Sequence, residues 1–161
     1  MKNVPNKIIV HHSAFAQSSE QLGQINQWHK DREFIKSSLG YYVGYHYLIS
    51  HAGIITATRK IEDEGCHTKG QNTTSIGVCM EGHFDQEMPT AKQTQMLGKL
   101  LVSLCEAHSI PYTSIEAHRS FSNTSCFGKK LHNNFAKITC LTEKIHQLST
   151  AVEALREESR A

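Results

Sequence analysis

Two segments more than a hundred residues apart carry side chains that could do chemistry. IIVHHSA (Ile8–Ala14) ends an apolar run on two histidines, and AHRSFSNTSC (Ala117–Cys126) holds a histidine and a cysteine eight positions apart. Imidazole and thiolate are ligands that zinc takes. Three protein ligands leave a fourth place for water, which separates a catalytic zinc from a structural one. Neither segment persuades alone. A histidine closing a buried strand is more often a hydrogen-bonded core or edge residue than a ligand, and a free cysteine is commonly a small buried hydrophobe.

The elements that must position these groups follow from pattern. Lys7–His11, a β-branched run behind Pro5 and Asn6, predicts a buried strand. Ser18–Gln21 has the capping-box pattern and opens a helix through about Asp31, with Leu22, Ile25 and Trp28/His29 on one face. Tyr45–Ser50 and Ile54–Thr58 flank a turn-like His51–Gly53 and predict a hairpin. In Ser75–Glu81 the apolar Ile76, Val78 and Met80 alternate with smaller or polar residues, as in a strand. Thr90 and Gln93 form a second capping box and start a helix that runs to about His108. A short strand near Ser114–Ala117 leads into His118, and residues 129–158 read as helical. Strands mixed with helices predict an α/β sheet domain.

Composition narrows the class. A chain of 161 residues suggests one domain with a real core. The 17 Lys and Arg nearly balance the 15 Asp and Glu, which argues against a nucleic-acid surface or a polybasic membrane anchor. The 11 histidines are scattered, so they are no tag. MKNVPNKIIV lacks the apolar core and cleavage site of a secretory signal, so synthesis in the cytoplasm is expected. The five cysteines form no CxxC pair and fit free thiols, or one ligand plus buried spectators.

The tail stands apart. Leu141, Ile145, Leu148, Val152 and Leu155 are spaced 4-3-4-3, an a/d seam. Two heptads are fewer than a coiled coil needs for assignment from sequence. A helix laid on its own domain, in a monomer, is the expectation; the alternative is a dimer through 141–155. Residues 141–161 carry Lys144, Arg156 and Arg160 against Glu143, Glu153, Glu157 and Glu158, unlike a cationic membrane-disrupting helix.

IIVHHSA, Trp28–His29, VGYHYLI (Val43–Ile49), GCHTKGQNTTSIGVCMEG (Gly65–Gly82) and EAHRSFSNTSC (Glu116–Cys126) occur in an order that resembles one family. It is that of the zinc-dependent N-acetylmuramoyl-L-alanine amidases of the type 2 fold, shared by short phage lysozymes and peptidoglycan recognition proteins. The resemblance spans about residues 7–135. It implies a central mixed β-sheet flanked by helices in a single α/β domain, with residues 1–136 as the catalytic domain and 137–161 as a C-terminal helical extension. It also implies the reaction: hydrolysis of the amide between N-acetylmuramic acid and L-alanine in peptidoglycan. The expected setting is a phage or prophage endolysin that reaches the cell wall through a pore-forming, holin-type partner. Alternatives within the same resemblance are a non-hydrolytic peptidoglycan-binding module and a cytoplasmic muropeptide-recycling amidase.

Carried over position by position, the resemblance makes His11, His118 and Cys126 ligands of one Zn2+. His11 is preferred to His12 because the family's ligand directly follows the apolar run, and adjacent strand residues face opposite sides. Tyr45 matches an active-site tyrosine able to orient water or hydrogen-bond an oxyanion, or else packs as a core aromatic. Thr124 stands where relatives have lysine or threonine and could donate to the tetrahedral oxygen, or satisfy loop backbone. His67 matches a groove histidine that touches substrate or assists proton transfer, with an indirect or surface role open. Asn72 is either substrate-binding or loop-shaping. Trp28 and His29 match a structural motif, and Glu81 is a weak candidate base. Phe127 replaces a common proline, and Arg32–Tyr42 replaces a shorter segment, which could reshape one wall of the groove.

Overall fold

The computed structural model describes residues 2–15 and 21–159. Its sheet is organised around β1 (Lys7–His12) and β4 (Ser75–Met80), which pair in parallel from Lys7 against Ser75 to His12 against Met80. β5 (Ile115–Ala117) pairs in parallel with the other edge of β1. β2 (Tyr47–Ile49) pairs in parallel with β4 and antiparallel with β3 (Ile55–Ala57), the predicted hairpin. The order β3-β2-β4-β1-β5 makes a mixed sheet with the antiparallel strand at one edge.

β4 alternates in sequence, yet all six of its residues are buried. It is the central strand and is covered on both faces. The positions between its large apolar residues are Ser75, Gly77 and Cys79, small enough for a second layer to approach. Ile8, Val10, Ile76 and Val78 pack with Leu97 and Leu101 of α2 (Ala91–His108) and with Cys140 of α3 (Phe135–Glu158). Leu48 and Cys79 pack on the opposite face with Ile25 of α1 (Leu22–Asp31). Strand alternation therefore sends Val10 into the α2–α3 core and turns His11 to the α1 face, in register with Cys79.

The Thr90 capping box forms as read: Thr90 Oγ1 accepts from the Gln93 N–H, and the Gln93 side chain accepts from the Thr90 N–H. α2 ends at Ser109, which takes a left-handed conformation (φ 54°). The capping box read at Ser18–Gln21 lies mostly outside the described residues; Gln21 precedes Leu22 without a side-chain cap, and α1 ends at Asp31 as read. α3 starts later than the pattern suggested. The amides of Lys129 and Lys130 donate to Asp85 and to the Phe84 carbonyl, so this stretch is tied to the loop after β4 instead of coiling. α3 is anchored through Ala136 and Cys140, whereas every described residue from Ile145 onward is exposed. Among the described residues no helix is long and apolar enough to cross a membrane.

Candidate active site

Three side chains from distant parts of the chain converge at the C-terminal end of β1. His11 is its fifth residue. His118 begins a single 3-10 turn directly after β5, and Cys126 follows eight residues later. The intervening loop is closed by the Arg119 N–H donating to the Cys126 carbonyl at 2.8 Å. Arg119 also donates from Nη2 to the Leu131 carbonyl and stacks over Phe127. Phe127 is fully buried against Phe135, so an aromatic anchor holds the loop directly after Cys126.

One ligand-capable atom from each of His11, His118 and Cys126 lies within 4.8 Å of the others. His11 Nδ1 is 3.7 Å from Cys126 Sγ. A tetrahedral zinc with ordinary Zn–N and Zn–S bonds sets that separation at about 3.6 Å, so the donor set fits such an ion in both chemistry and spacing. The His12 N–H donates to Cys126 Sγ at 3.4 Å, support that a thiolate would use. Without a cation, burial pushes the Cys126 thiol up to about 12, and a coordinated divalent ion reverses that balance.

His12 is placed differently. Its Nδ1 accepts the Phe84 N–H at 3.0 Å, and its ring packs against His83 and Phe84. Burial lowers its pKa to about 4, so it is a neutral fixture of the cavity wall. The structure thus brings His11, and not His12, to His118 and Cys126.

His67 touches the cluster through His11. Its Nδ1 lies 3.0 Å from His11 Nε2. The His67 ring slots against two glycines: a Cβ on Gly65 or on Gly77 would come within 2.6 Å of its Cδ2. A Cβ on Gly44 would meet the Cys66 carbonyl at 2.1 Å. The glycines of VGYHY, GCHTK and SIGVC therefore share one purpose, the seating of this imidazole and its loop. Asn72 builds the loop itself, its Oδ1 accepting the N–H groups of His67 and Thr68 at 3.0 and 2.9 Å.

Tyr45 lies over His11, with ring centroids 5.0 Å apart. Burial holds its pKa well above the phenol range, which makes it a donor and not a base. Thr124 is exposed at the cavity rim. Its Oγ1 accepts the Cys126 N–H at 3.2 Å, which leaves the hydroxyl proton to point elsewhere. Glu81 is not among the residues lining this cavity: its carboxylate accepts the Gln21 N–H at 2.9 Å, at the start of α1.

His11, His12, Tyr45, His67, His118, Thr124 and Cys126 line a cavity of about 540 Å³, and Asn72 is not among its lining residues. Sequence reasoning singled out much of the wall, with Arg32 read only as the start of a segment that could shape it, but missed His83, Asp85 and Ser125, all of which face it. Asp85 is held below the usual carboxylate range: burial works against this, but the Lys129 amide and the Ser125 hydroxyl outweigh it. Arg32, the sole lysine or arginine among the described lining residues, sits 4.2 Å over Trp28. Phe34 stacks on His29, so the Arg32–Tyr42 segment does shape one wall.

A mixed sheet ending in two imidazoles and a thiol that could hold a metal ion, beside an open cavity, is the arrangement of a candidate hydrolase site. The chain matches the family model described as N-acetylmuramoyl-L-alanine amidase (Amidase_2) over residues 1–129. It is 34% identical over 130 residues to an endolysin of Klebsiella phage KP32, covering 75% of this chain and 79% of that one. It is also 34% identical over 126 residues to an endolysin of Escherichia phage T7, covering 74% and 78%. The solved structure of the N-acetylmuramoyl-L-alanine amidase LysC from Clostridium intestinale URNW has a TM-score of 0.69 and 29% identity, with 80% of each chain covered. The chain belongs to the N-acetylmuramoyl-L-alanine amidase family, and its activity is the hydrolysis of that amide bond.

Proposed function

We propose that the protein is a phage-type endolysin whose amide hydrolysis depends on one zinc ion held by His11, His118 and Cys126. The observation that carries this is the convergence of those three donors beside an open cavity, with the His11–Cys126 separation that zinc would set. Bound there, zinc supplies a Lewis acid for the scissile carbonyl and lowers the pKa of its water.

The remaining roles belong to the protein's own groups. His67 accepts the Nε2–H of His11, which fixes the tautomer that leaves Nδ1 free to coordinate. It is thus a positioning residue first and a substrate contact second. Tyr45, kept neutral by burial, donates to a substrate or water oxygen. Thr124 donates its free hydroxyl proton to the developing oxyanion while its oxygen stays anchored on the Cys126 amide. Asn72 acts through loop shape. Residues 1–136 carry the catalytic apparatus, 137–161 extend it, and access to the wall depends on a pore made by another protein.

Digestion of purified peptidoglycan, followed by mass spectrometry, tests the bond assignment. Intact glycan strands and stem peptides beginning with L-alanine are expected. New reducing sugar ends, or cuts within the stem, would overturn it.

A further inference from the structure

α3 begins at Phe135, beyond the last residue of the family match, Lys129, and none of its residues lines the active-site cavity. We propose that its outer face pairs in parallel and in register with α3 of a second copy of this chain, forming a two-stranded coiled coil.

Half of the twelve large apolar side chains that the described residues leave exposed lie on this one helix. They are Ile138, Leu141, Ile145, Leu148, Val152 and Leu155, and their exposures run from 45% to 67%. Ile138 extends the seam read from the sequence by one position, so the a positions are Ile138, Ile145 and Val152, and the d positions are Leu141, Leu148 and Leu155. Every a residue is β-branched and every d residue is leucine. That division is the one that favours two parallel strands over three or four. At 100° per residue the seam faces away from Ala136 and Cys140, the pair that docks the helix on α2 and the sheet. Anchoring and seam therefore occupy different faces, and the described residues leave the seam exposed.

The flanking positions permit a second copy. In a parallel pair each g position faces the e position five residues on in the other copy. Lys144 then meets Ser149 of the second copy, and Ala151 meets its Arg156, so no like charges oppose. Through residue 158 the segment from Leu141 carries Lys144 and Arg156 against Glu143, Glu153, Glu157 and Glu158, a poor match for an anionic membrane surface. A self-complementary stripe related by a two-fold axis needs no other partner. Covering all six side chains in both copies removes about 1,200 Å² from water, at the lower edge of stable interfaces. The seam spans about 27 Å of helix, so association should be concentration-dependent.

Sedimentation of the full chain across a concentration series tests this. A monomer–dimer equilibrium is expected, and the Ile145→Asp, Leu148→Asp double variant should remain monomeric with an unchanged far-UV spectrum, since both positions are exposed. Leu155→Cys reads orientation: in a parallel pair the two introduced thiols meet, and mild oxidation should give a covalent dimer that the wild type, with its five native cysteines, does not give. A wild-type monomer up to about 200 µM, well above the range expected for an interface of this size, would overturn the proposal. So would a trimer, a dimer that survives the double substitution, or a dimer in which Leu155→Cys fails to cross-link.

Discussion

Substituting His46 by glutamine should make stability less sensitive to acid. His46 is fully buried at the start of the hairpin. Its Nδ1 accepts the Gly77 N–H at 3.0 Å, and its Nε2 lies 3.1 Å from the Asp63 carbonyl. With Nδ1 committed as an acceptor the ring is neutral, and burial lowers its pKa from 6.5 to about 4. The unfolded chain takes up this proton as pH falls through 6.5, whereas the native chain refuses it until about 4. The ring's contribution is thus complete above 6.5 and is lost on descent through that window. One pKa unit is worth about 1.4 kcal/mol, so at pH 5 the loss from this single ring is ~2 kcal/mol. The glutamine amide can still accept the Gly77 N–H but cannot titrate. His46→Gln should be less stable than wild type at pH 7.5, and the gap measured by urea unfolding should shrink by ~2 kcal/mol at pH 5. Protons taken up by the metal ligands enter both proteins equally and cancel. A gap constant to within ~0.5 kcal/mol between the two pH values would refute the neutral, accepting histidine. His12 and His29 repeat the arrangement, with Nδ1 accepting from Phe84 and Gly44 and burial lowering both pKa values to about 4.

Gly77→Ala would drive a methyl group to 2.6 Å from His67 Cδ2; turnover should fall by about tenfold or more through displacement of the histidine behind His11, and unchanged turnover would remove His67 from the account. Tyr45→Phe should lower kcat by roughly a hundredfold with zinc content intact; loss of zinc would mean that the ring only supports the metal site. Thr90→Ala deletes the cap of α2 and should cost about 1 kcal/mol, read as a fall in Tm of roughly 3 °C with full activity; an unchanged Tm would show the cap to be idle.

How much of this was legible in the sequence differs by element. β1, the hairpin and α2 carry local signals, a β-branched run, a turn between two strands and a capping box, and they form where read. The choice of His11 over His12 came from the family resemblance, which puts the ligand directly after the apolar run; strand alternation adds only that the two rings face opposite sides. The complete burial of β4 was not, since it depends on a central place in a sheet order that only long-range pairing sets. Nor was the late start of α3, which rests on Lys129 and Lys130 finding partners more than forty residues back. In the site, the three glycines around His67 were visible as letters, but their common purpose appears only when three separate segments meet. Asp85 had no local signal at all, and Arg32 had none beyond opening the segment that replaces a shorter one. Glu81 stood as a weak candidate base because a strand end does not reveal that its carboxylate is engaged by the Gln21 N–H.

Metal titration of the chelator-stripped enzyme tests the central claim most directly. Activity on peptidoglycan and bound zinc should rise together and saturate at about one ion per chain. His12→Ala should still take up that ion, whereas His11→Ala and Cys126→Ser should hold none and release no L-alanine-terminated peptide. Full activity in the stripped enzyme, or zinc retained by Cys126→Ser, would contradict the account.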